Sequence, residues 1–180
     1  MARLDPIPYD NLTPEQKSVH AKLLSTRKQV TGPFAIWLRT PNVAFTADEF
    51  MNSLRRDGKL DKRLYELIVL IVTRHWSAHY AWAQHEPLAA AAGLSSDVIA
   101  AIREKRKPAF SKPDEQLLYD MAKELLDTMA LGAATYERMI KQFGVESTIE
   151  AISVTGFYGM VSMVLKGFDV PTLNGEQPFK

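Results

Sequence analysis

The feature that most constrains this sequence is an apolar stretch, residues 61–93, which also carries three of the four histidines. Apolar residues in its first half recur at helical spacing: Leu64, Leu67, Ile68, Ile71 and Val72. This pattern predicts a helix with one buried face and with Asp61 as its N-cap. The β-branched residues could also form a strand, but the pattern starts earlier and its neighbours are helix formers. The apolar run 67–72 is too short to span a membrane.

A second helix is predicted over residues 78–92, with Ser77 as its N-cap and Gly93 just beyond its end. One face of this helix carries Ala78, Ala81, Trp82 and His85. Because two of these side chains are single methyl groups, open volume is expected beside the His85 imidazole, as a small-molecule pocket requires. Pro87 predicts a kink after His85. A buried, hydrogen-bonded structural histidine is the alternative interpretation.

Helix-start signals recur along the rest of the chain, whereas no convincing strand or repeat is found. Further helices are predicted from Thr13 to about Val30, from Thr40 to about Arg56, and over 97–105, 113–126, 133–143 and 146–166. Residues 1–12 read as an extended arm, 34–39 as a connector and 168–180 as an irregular tail. The expected fold is therefore a single all-α domain, residues 1–180, of about eight helices.

Composition excludes several classes of function. The formal net charge of +1 provides no field that would gather nucleic acid or an anionic membrane. The chain contains no cysteine, so neither disulfides nor thiolate metal sites can form. The first residues lack the apolar segment of a secretory signal, and we expect a soluble, cytoplasmic protein.

The central stretch matches the pattern R-x-Y-E-L-I-x-L followed by Y-x-W-x-x-H-x-P-L-A-x-x-A-G-L. This pattern resembles the carboxymuconolactone decarboxylase / AhpD-like family. The match is carried by Arg63, Tyr65, Glu66, Leu67, Ile68, Tyr80, Trp82, His85, Pro87, Leu88, Ala89 and residues 92–94. Segments 32–41 and 156–161 also resemble the family, so the resemblance covers most of residues 32–167.

One departure from the family pattern decides which activity the resemblance implies. The peroxidase branch carries Cys-x-x-Cys ahead of the histidine, and those positions are Ala78 and Ala81 here. Thiol peroxidase activity needs a thiolate and is therefore excluded. The flanking acid and imidazole do match, at Glu66 and His85. The resemblance then implies the thiol-free branch, whose members assemble as trimers or hexamers.

The function implied by this branch is that of a cofactor-free lyase, which decarboxylates a small lactone similar to 4-carboxymuconolactone in aromatic-compound catabolism. Such a reaction needs a proton donor, a cation for the acid groups and an apolar pocket. His85 is the predicted proton donor, and Glu66 the residue that orients it. Arg74 and Arg39 are predicted to hold the substrate carboxylate. The other predicted substrate-binding residues are Tyr80, Trp82, Trp76 and His79.

Other interpretations remain open at the level of sequence. His75 and His79 have the i,i+4 spacing of two metal ligands, with Glu66 or His85 as the third, although His75 can lie outside the helix. Trp76 and Tyr80, together with Met160 and Met163, could instead form an oligomer interface. A different acid–base reaction on a small acid or lactone, such as an isomerisation or a ring opening, is a further alternative. Arg27, Tyr9 and His20 are placed to approach the pocket from the N-terminal side.

Overall fold

The computed structural model describes residues 2–179, which form eight α-helices and no β-strand. The helices are α1 (Pro14–Leu24), α2 (Pro33–Trp37), α3 (Pro41–Arg55), α4 (Lys62–His75), α5 (His79–Ala91), α6 (Ser96–Arg103), α7 (Pro113–Thr128) and α8 (Ala133–Gly167). A single 3₁₀ turn, Tyr9–Asn11, precedes them. The predicted all-α fold class is confirmed.

Helix α4 is the centre of the molecule. Every residue from Leu64 to Arg74 is buried, because α4 packs against α5, α6, α7 and α8. The sequence pattern had indicated one buried face, whereas the structure buries all of them. Glu66 is enclosed with its neighbours, and a carboxylate in such a position needs a partner.

Three helices begin where their caps predict. The Thr13 hydroxyl accepts a hydrogen bond from the backbone of Gln16, whose side chain bonds back in a capping box. Asp61 caps α4 and Ser95 caps α6 through their side-chain oxygens.

The end of α1 differs from the prediction of a helix reaching Val30, since α1 stops at Leu24. The hydroxyls of Ser25 and Thr26 donate hydrogen bonds to the carbonyls of Lys22 and Leu23, which ends the helix locally. Residues 25–32 therefore form a loop that is free to line a cavity.

The start of α5 also differs from the prediction. Ser77 has φ +51°, and Ala78 occupies the N-cap position without a side-chain hydrogen bond. The Ser77 hydroxyl instead accepts a hydrogen bond from Arg74 Nη1 at 3.1 Å. His75 ends α4 and His79 begins α5, so this histidine pair bridges two helices.

Helix α8 is interrupted at Gly144, where φ is +75°, as the sequence predicted. Of the helices formed by residues 2–179, α8 alone has the length and apolar composition to cross a membrane. The fold buries 56% of the most apolar 18-residue segment of α8, as expected for a core helix. At its end, the N-terminal arm is fixed to it: Arg3 donates to the carbonyl of Gly167 and pairs with Asp169 at 2.8 Å.

Candidate active site

The most distinctive polar contact in the core joins α4 to α5. Glu66 Oε2 lies 2.7 Å from His85 Nδ1, and the two side chains are 7% and 12% exposed. The residues are 19 positions apart, so only the packing of the two helices creates the pair. A carboxylate this close to Nδ1 fixes the orientation of the ring, as in catalytic His–acid pairs.

Two tyrosines extend this pair into a chain. Tyr158 of α8 places its hydroxyl 3.2 Å from His85 Nε2, on the other side of the ring. Tyr65 of α4 lies 3.1 Å from the same Tyr158 hydroxyl. The result is a continuous sequence of polar groups, Glu66–His85–Tyr158–Tyr65, inside a largely apolar core.

The protonation states of the two tyrosines follow from their burial and from their neighbours. Burial raises the pKa of Tyr158 well above its usual range, and the nearby Tyr65 and Glu66 raise it further. Burial likewise raises the pKa of Tyr65 to about 12. Both phenols are therefore neutral donors at physiological pH. When His85 Nδ1–H donates to Glu66, Nε2 is the ring atom left to exchange a proton, on the side of Tyr158.

A cavity of about 430 Å³ opens beside His85. Its walls come from the 25–32 loop and four helices: Thr26, Arg27, Lys28, Gln29, Thr31, Pro33, Phe34, Met51, Arg55, Tyr80, Ala81, Gln84, His85, Leu88, Phe157, Tyr158 and Val161. The predicted open volume next to Ala81 and His85 is thus present. Its size and mixed lining are typical of small-molecule sites.

The loop that covers the cavity is fixed by one buried acid. Asp48 of α3 is 4% exposed and accepts hydrogen bonds from the hydroxyl of Thr26 and from the guanidinium of Arg27. The Arg27 guanidinium also stacks on the Phe34 ring, 3.4 Å from its centroid. Asp48 is therefore a positioning residue for this wall.

Gly32 holds the far end of the same loop close to α5. Its φ is +59°, and a Cβ atom there would lie 2.3 Å from the Tyr80 ring. Tyr80 in turn donates a hydrogen bond to the Thr31 hydroxyl at 2.8 Å. Of the predicted substrate-binding residues, Tyr80 is the one that lines the cavity.

A second cleft, of about 600 Å³, lies on the Glu66 side of the pair. Glu66 and Tyr65 line this cleft, whereas His85 and Tyr158 line the first. Arg55 contributes to both. The His85–Glu66 pair thus contributes one side chain to each of the two spaces.

The structure does not bring the two predicted carboxylate clamps to the cavity. Arg74 donates to the carbonyl of Arg103 at 2.6 Å and stacks on Phe179. Arg39 is exposed and donates to the carbonyl of Asp5 at 2.6 Å. Both guanidinium groups hold parts of the fold together, and neither lines the cavity beside His85.

Trp82 and Trp76 also lie outside the cavity lining. Trp82 is fully buried and donates to Glu86 Oε2 at 2.9 Å, so it is a core residue. Trp76 is half-buried and packs on the hydrophobic core, with its ring 6.1 Å from that of His75.

His75 and His79 lie outside the cavity lining, and His79 contacts the C-terminal tail. His79 stacks on Phe179 with ring centroids 4.3 Å apart, and burial lowers its pKa. His75 lies 3.9 Å from Asp127. Among residues 2–179, no group of three His, Asp or Glu side chains is arranged to hold a metal ion.

The predicted oligomer interface is divided by the structure. Tyr80 is only 7% exposed and belongs to the cavity wall, whereas Met160 and Met163 are 40% and 54% exposed on α8. Ile149 is also exposed on this helix. Assembly through the exposed face of α8 stays a prediction.

The part of the site contributed by α8 and α3 was not predicted from the sequence. Tyr158 lies in the segment 156–161, which was matched to the family and whose two glycines allow a close helix approach or room for a ligand, but Tyr158 itself was not predicted as a site residue. Tyr65 was noticed only as part of the family pattern, and Arg55 only as a cation at a helix end. Arg27, named as a residue that could approach the pocket, does line it. Tyr9 and His20 instead pair with each other, 5.3 Å apart.

Comparison with solved structures identifies the fold as AhpD-like. A protein from Ralstonia eutropha JMP134, described as an alkylhydroperoxidase AhpD core and an uncharacterized peroxidase-related protein, superposes with a TM-score of 0.78 at 15% identity. The match covers 95% of this chain and 92% of that one. An uncharacterized peroxidase-related protein from Silicibacter sp. TM1040 gives a TM-score of 0.77 at 16% identity, with 98% and 95% covered.

No protein-family model matches the sequence, and the search of curated proteins found no match. At these identities the likeness shows the fold alone. The expected AhpD-like architecture is therefore confirmed, and the chemistry has to be argued from the residues of the site.

Proposed function

We propose that this AhpD-like protein is a cofactor-free lyase that decarboxylates a small carboxylated lactone similar to 4-carboxymuconolactone. The observation that carries the proposal is the hydrogen-bonded chain from Glu66 through His85 to Tyr158, with the last two bordering a cavity of about 430 Å³. The fold neighbours are described as peroxidase-related, but a chain without cysteine has no thiolate for that chemistry.

In the proposed reaction, the carbon–carbon bond to the substrate carboxylate breaks and CO₂ leaves. The electron pair of that bond stays on the ring as a dienolate, which then takes up one proton at carbon. His85, protonated from solvent at Nε2 before each turnover, delivers this proton to the carbon, and the Glu66 carboxylate at Nδ1 stabilises the imidazolium that carries it. The Tyr158 hydroxyl, a neutral donor beside Nε2, is placed to hydrogen-bond to the developing enolate oxygen.

The apolar residues of the cavity support the same reaction. Phe34, Phe157 and Val161 line the space in front of His85. A carboxylate moved from water into such surroundings loses solvation, which favours its departure as neutral CO₂.

The test is a decarboxylation assay on 4-carboxymuconolactone and related lactone acids. Wild-type protein is expected to release CO₂ and, in D₂O, to place one deuterium on the product carbon. The His85→Gln variant should lose at least about a hundred-fold in kcat, because general acid–base groups contribute on that scale. The matched control is His79→Gln, which alters a histidine outside the cavity and should retain wild-type kcat.

Two results would overturn the proposal. One is the absence of CO₂ release by wild-type protein from every lactone acid tested. The other is full activity in His85→Gln at an unchanged melting temperature, since the reaction would then not depend on the imidazole.

A further inference from the structure

The charges that line the cavity are all of one sign. Arg27, Lys28 and Arg55 border it, and none of the described residues in its lining is acidic. The whole chain has a formal net charge of only +1, so this is a local concentration of positive charge. A cavity lined in this way concentrates small anions.

The three cations are not equally available. Arg27 pairs with the buried Asp48 and stacks on Phe34, so its charge is largely compensated within the fold. Arg55 and Lys28 are exposed, and the structure of residues 2–179 gives neither a hydrogen bond nor an ion pair. A guanidinium without a protein acceptor can bind a carboxylate with two parallel hydrogen bonds.

Arg55 also lies close to the row of hydrogen-bonded side chains from Glu66 to Tyr65. Its positive charge acts to lower the pKa of Tyr65 and of Tyr158, against the larger effect of their burial. It lines the cavity together with Tyr158 and His85. An anion bound by Arg55 would therefore be held beside the groups that move protons.

We propose that Arg55, assisted by Lys28 of the loop, forms a carboxylate-binding subsite at the mouth of the His85 cavity. This assignment replaces Arg74 and Arg39 as the cations that hold the acid group of the ligand. It rests on the proposed function only in taking the substrate to be an acid. The loop, tied to Asp48 through Thr26 and Arg27, keeps Lys28 at the mouth.

The experiment measures binding rather than turnover. Benzoate is the probe, and benzamide, of the same shape without the charge, is its neutral partner; each is titrated by calorimetry. Wild-type protein should bind benzoate more tightly than benzamide, and Arg55→Gln should weaken benzoate binding about ten-fold with benzamide unchanged. Lys28→Gln should have a smaller effect in the same direction. Raising the salt concentration from about 0.02 M to about 0.5 M should weaken the binding of benzoate to wild-type protein and leave the binding of benzamide unchanged.

Arg56→Gln is the matched control, because Arg56 is the next residue in the chain, is exposed, and lines only the second cleft. An equal loss of benzoate binding in Arg56→Gln would place the anion in that second cleft and overturn the proposal. Equal affinity of wild-type protein for benzoate and benzamide would overturn it as well. Melting temperatures of the variants show that each is folded.

The His85→Gln variant separates this proposal from the proposed function. It should bind benzoate within about two-fold of wild type, since the imidazole is not the group that holds the charge. If wild-type protein binds benzoate as predicted but decarboxylates none of the lactone acids, the subsite stands and the lyase proposal fails. Loss of benzoate binding in His85→Gln to the same extent as in Arg55→Gln would instead assign the anion to the imidazole.

Discussion

Two histidine regions of this protein arise from the same stretch of sequence and differ in almost every physical respect. His85 is hydrogen-bonded at both ring nitrogens, to Glu66 and to Tyr158, and it borders a cavity. His79 stacks on Phe179, and its Nδ1 is buried without a hydrogen-bond partner among residues 2–179. His75 ends α4, half-exposed, near Asp127.

The difference shows that spacing along a helix did not identify the histidine that contacts a buried acid and borders the cavity. The i,i+4 spacing of His75 and His79 suggested a metal pair, but the αL residue Ser77 places them on separate helices. His85 acquires its role from a carboxylate on α4 and a phenol on α8. The following experiments compare the surroundings of His85 with positions outside them, from the largest expected effect to the smallest.

The largest effect is expected for Glu66→Gln. The amide keeps the size of the side chain but removes the charge that stabilises the His85 imidazolium, so kcat on the lactone acid should fall about a hundred-fold. Nitrogen-15 NMR of the imidazole should show a changed tautomer balance at His85. His75→Gln, in the other region, should leave both readouts as in wild type. An unchanged kcat in Glu66→Gln would mean that the acid only packs against the ring.

The second-largest effect is expected for Asp48, the acid that fixes the cavity wall. Asp48→Ala leaves the Arg27 guanidinium without its buried partner, and the free energy of unfolding should fall by about 3 kcal/mol. Asp127→Ala, beside His75, removes an acid that is 49% exposed and should cost less than about 0.5 kcal/mol. Urea unfolding measures both. Equal losses in the two variants would show that Asp48 does not anchor the loop.

A third prediction uses the pH dependence of stability. Because the pKa of Tyr65 is raised to about 12 in the folded protein, the unfolded chain loses this proton first as the pH rises above 10. Stability should therefore fall between pH 10 and 12, by up to roughly 3 kcal/mol from this group.

Tyr65→Phe should flatten this alkaline loss, whereas Tyr136→Phe, on an exposed part of α8, should not. Urea unfolding at several alkaline pH values gives the slopes. Identical slopes for wild type and Tyr65→Phe would contradict the burial of the Tyr65–Tyr158 pair in a low-dielectric core.

The smallest effect is expected in the tail region. Burial, together with Lys166 and Arg74, lowers the pKa of His79 in the folded protein. As the pH falls, the unfolded chain therefore takes up this proton before the folded protein does, which lowers the stability of the fold. The stability of wild type should decrease slightly as the pH falls from about 8 to about 5. His79→Leu should reduce this acid loss and leave benzoate binding unchanged. An acid loss that is larger in His79→Leu than in wild type would contradict the assignment.

Helix starts were the most predictable part of the fold. Thr13, Asp61 and Ser95 cap helices through contacts with residues two or three positions away, and such contacts can be read directly from the sequence. The end of α1 was predicted too late in the sequence. The side chains of Ser25 and Thr26 donate hydrogen bonds to the preceding carbonyls and so end the helix, although the helical pattern of the sequence continues beyond them.

The site was predictable only in part. Glu66 and His85 could be paired through a resemblance to a known family, and the methyl-sized neighbour Ala81 correctly indicated open space. The arginines could not be placed in this way. Arg74 is next to the histidine stretch in sequence but faces Arg103, whereas Arg55 ends a helix that is far away in sequence and borders the cavity.

The sequence by itself determined that the chain is helical, where most helices begin, and that no thiol chemistry is available. These properties depend on composition and on contacts within one or two helical turns. Only the tertiary structure decided which imidazole meets an acid and which cation faces the cavity. His85 lies 19 positions from Glu66 and 73 from Tyr158, and contacts over such separations exist only after α4, α5 and α8 have packed together.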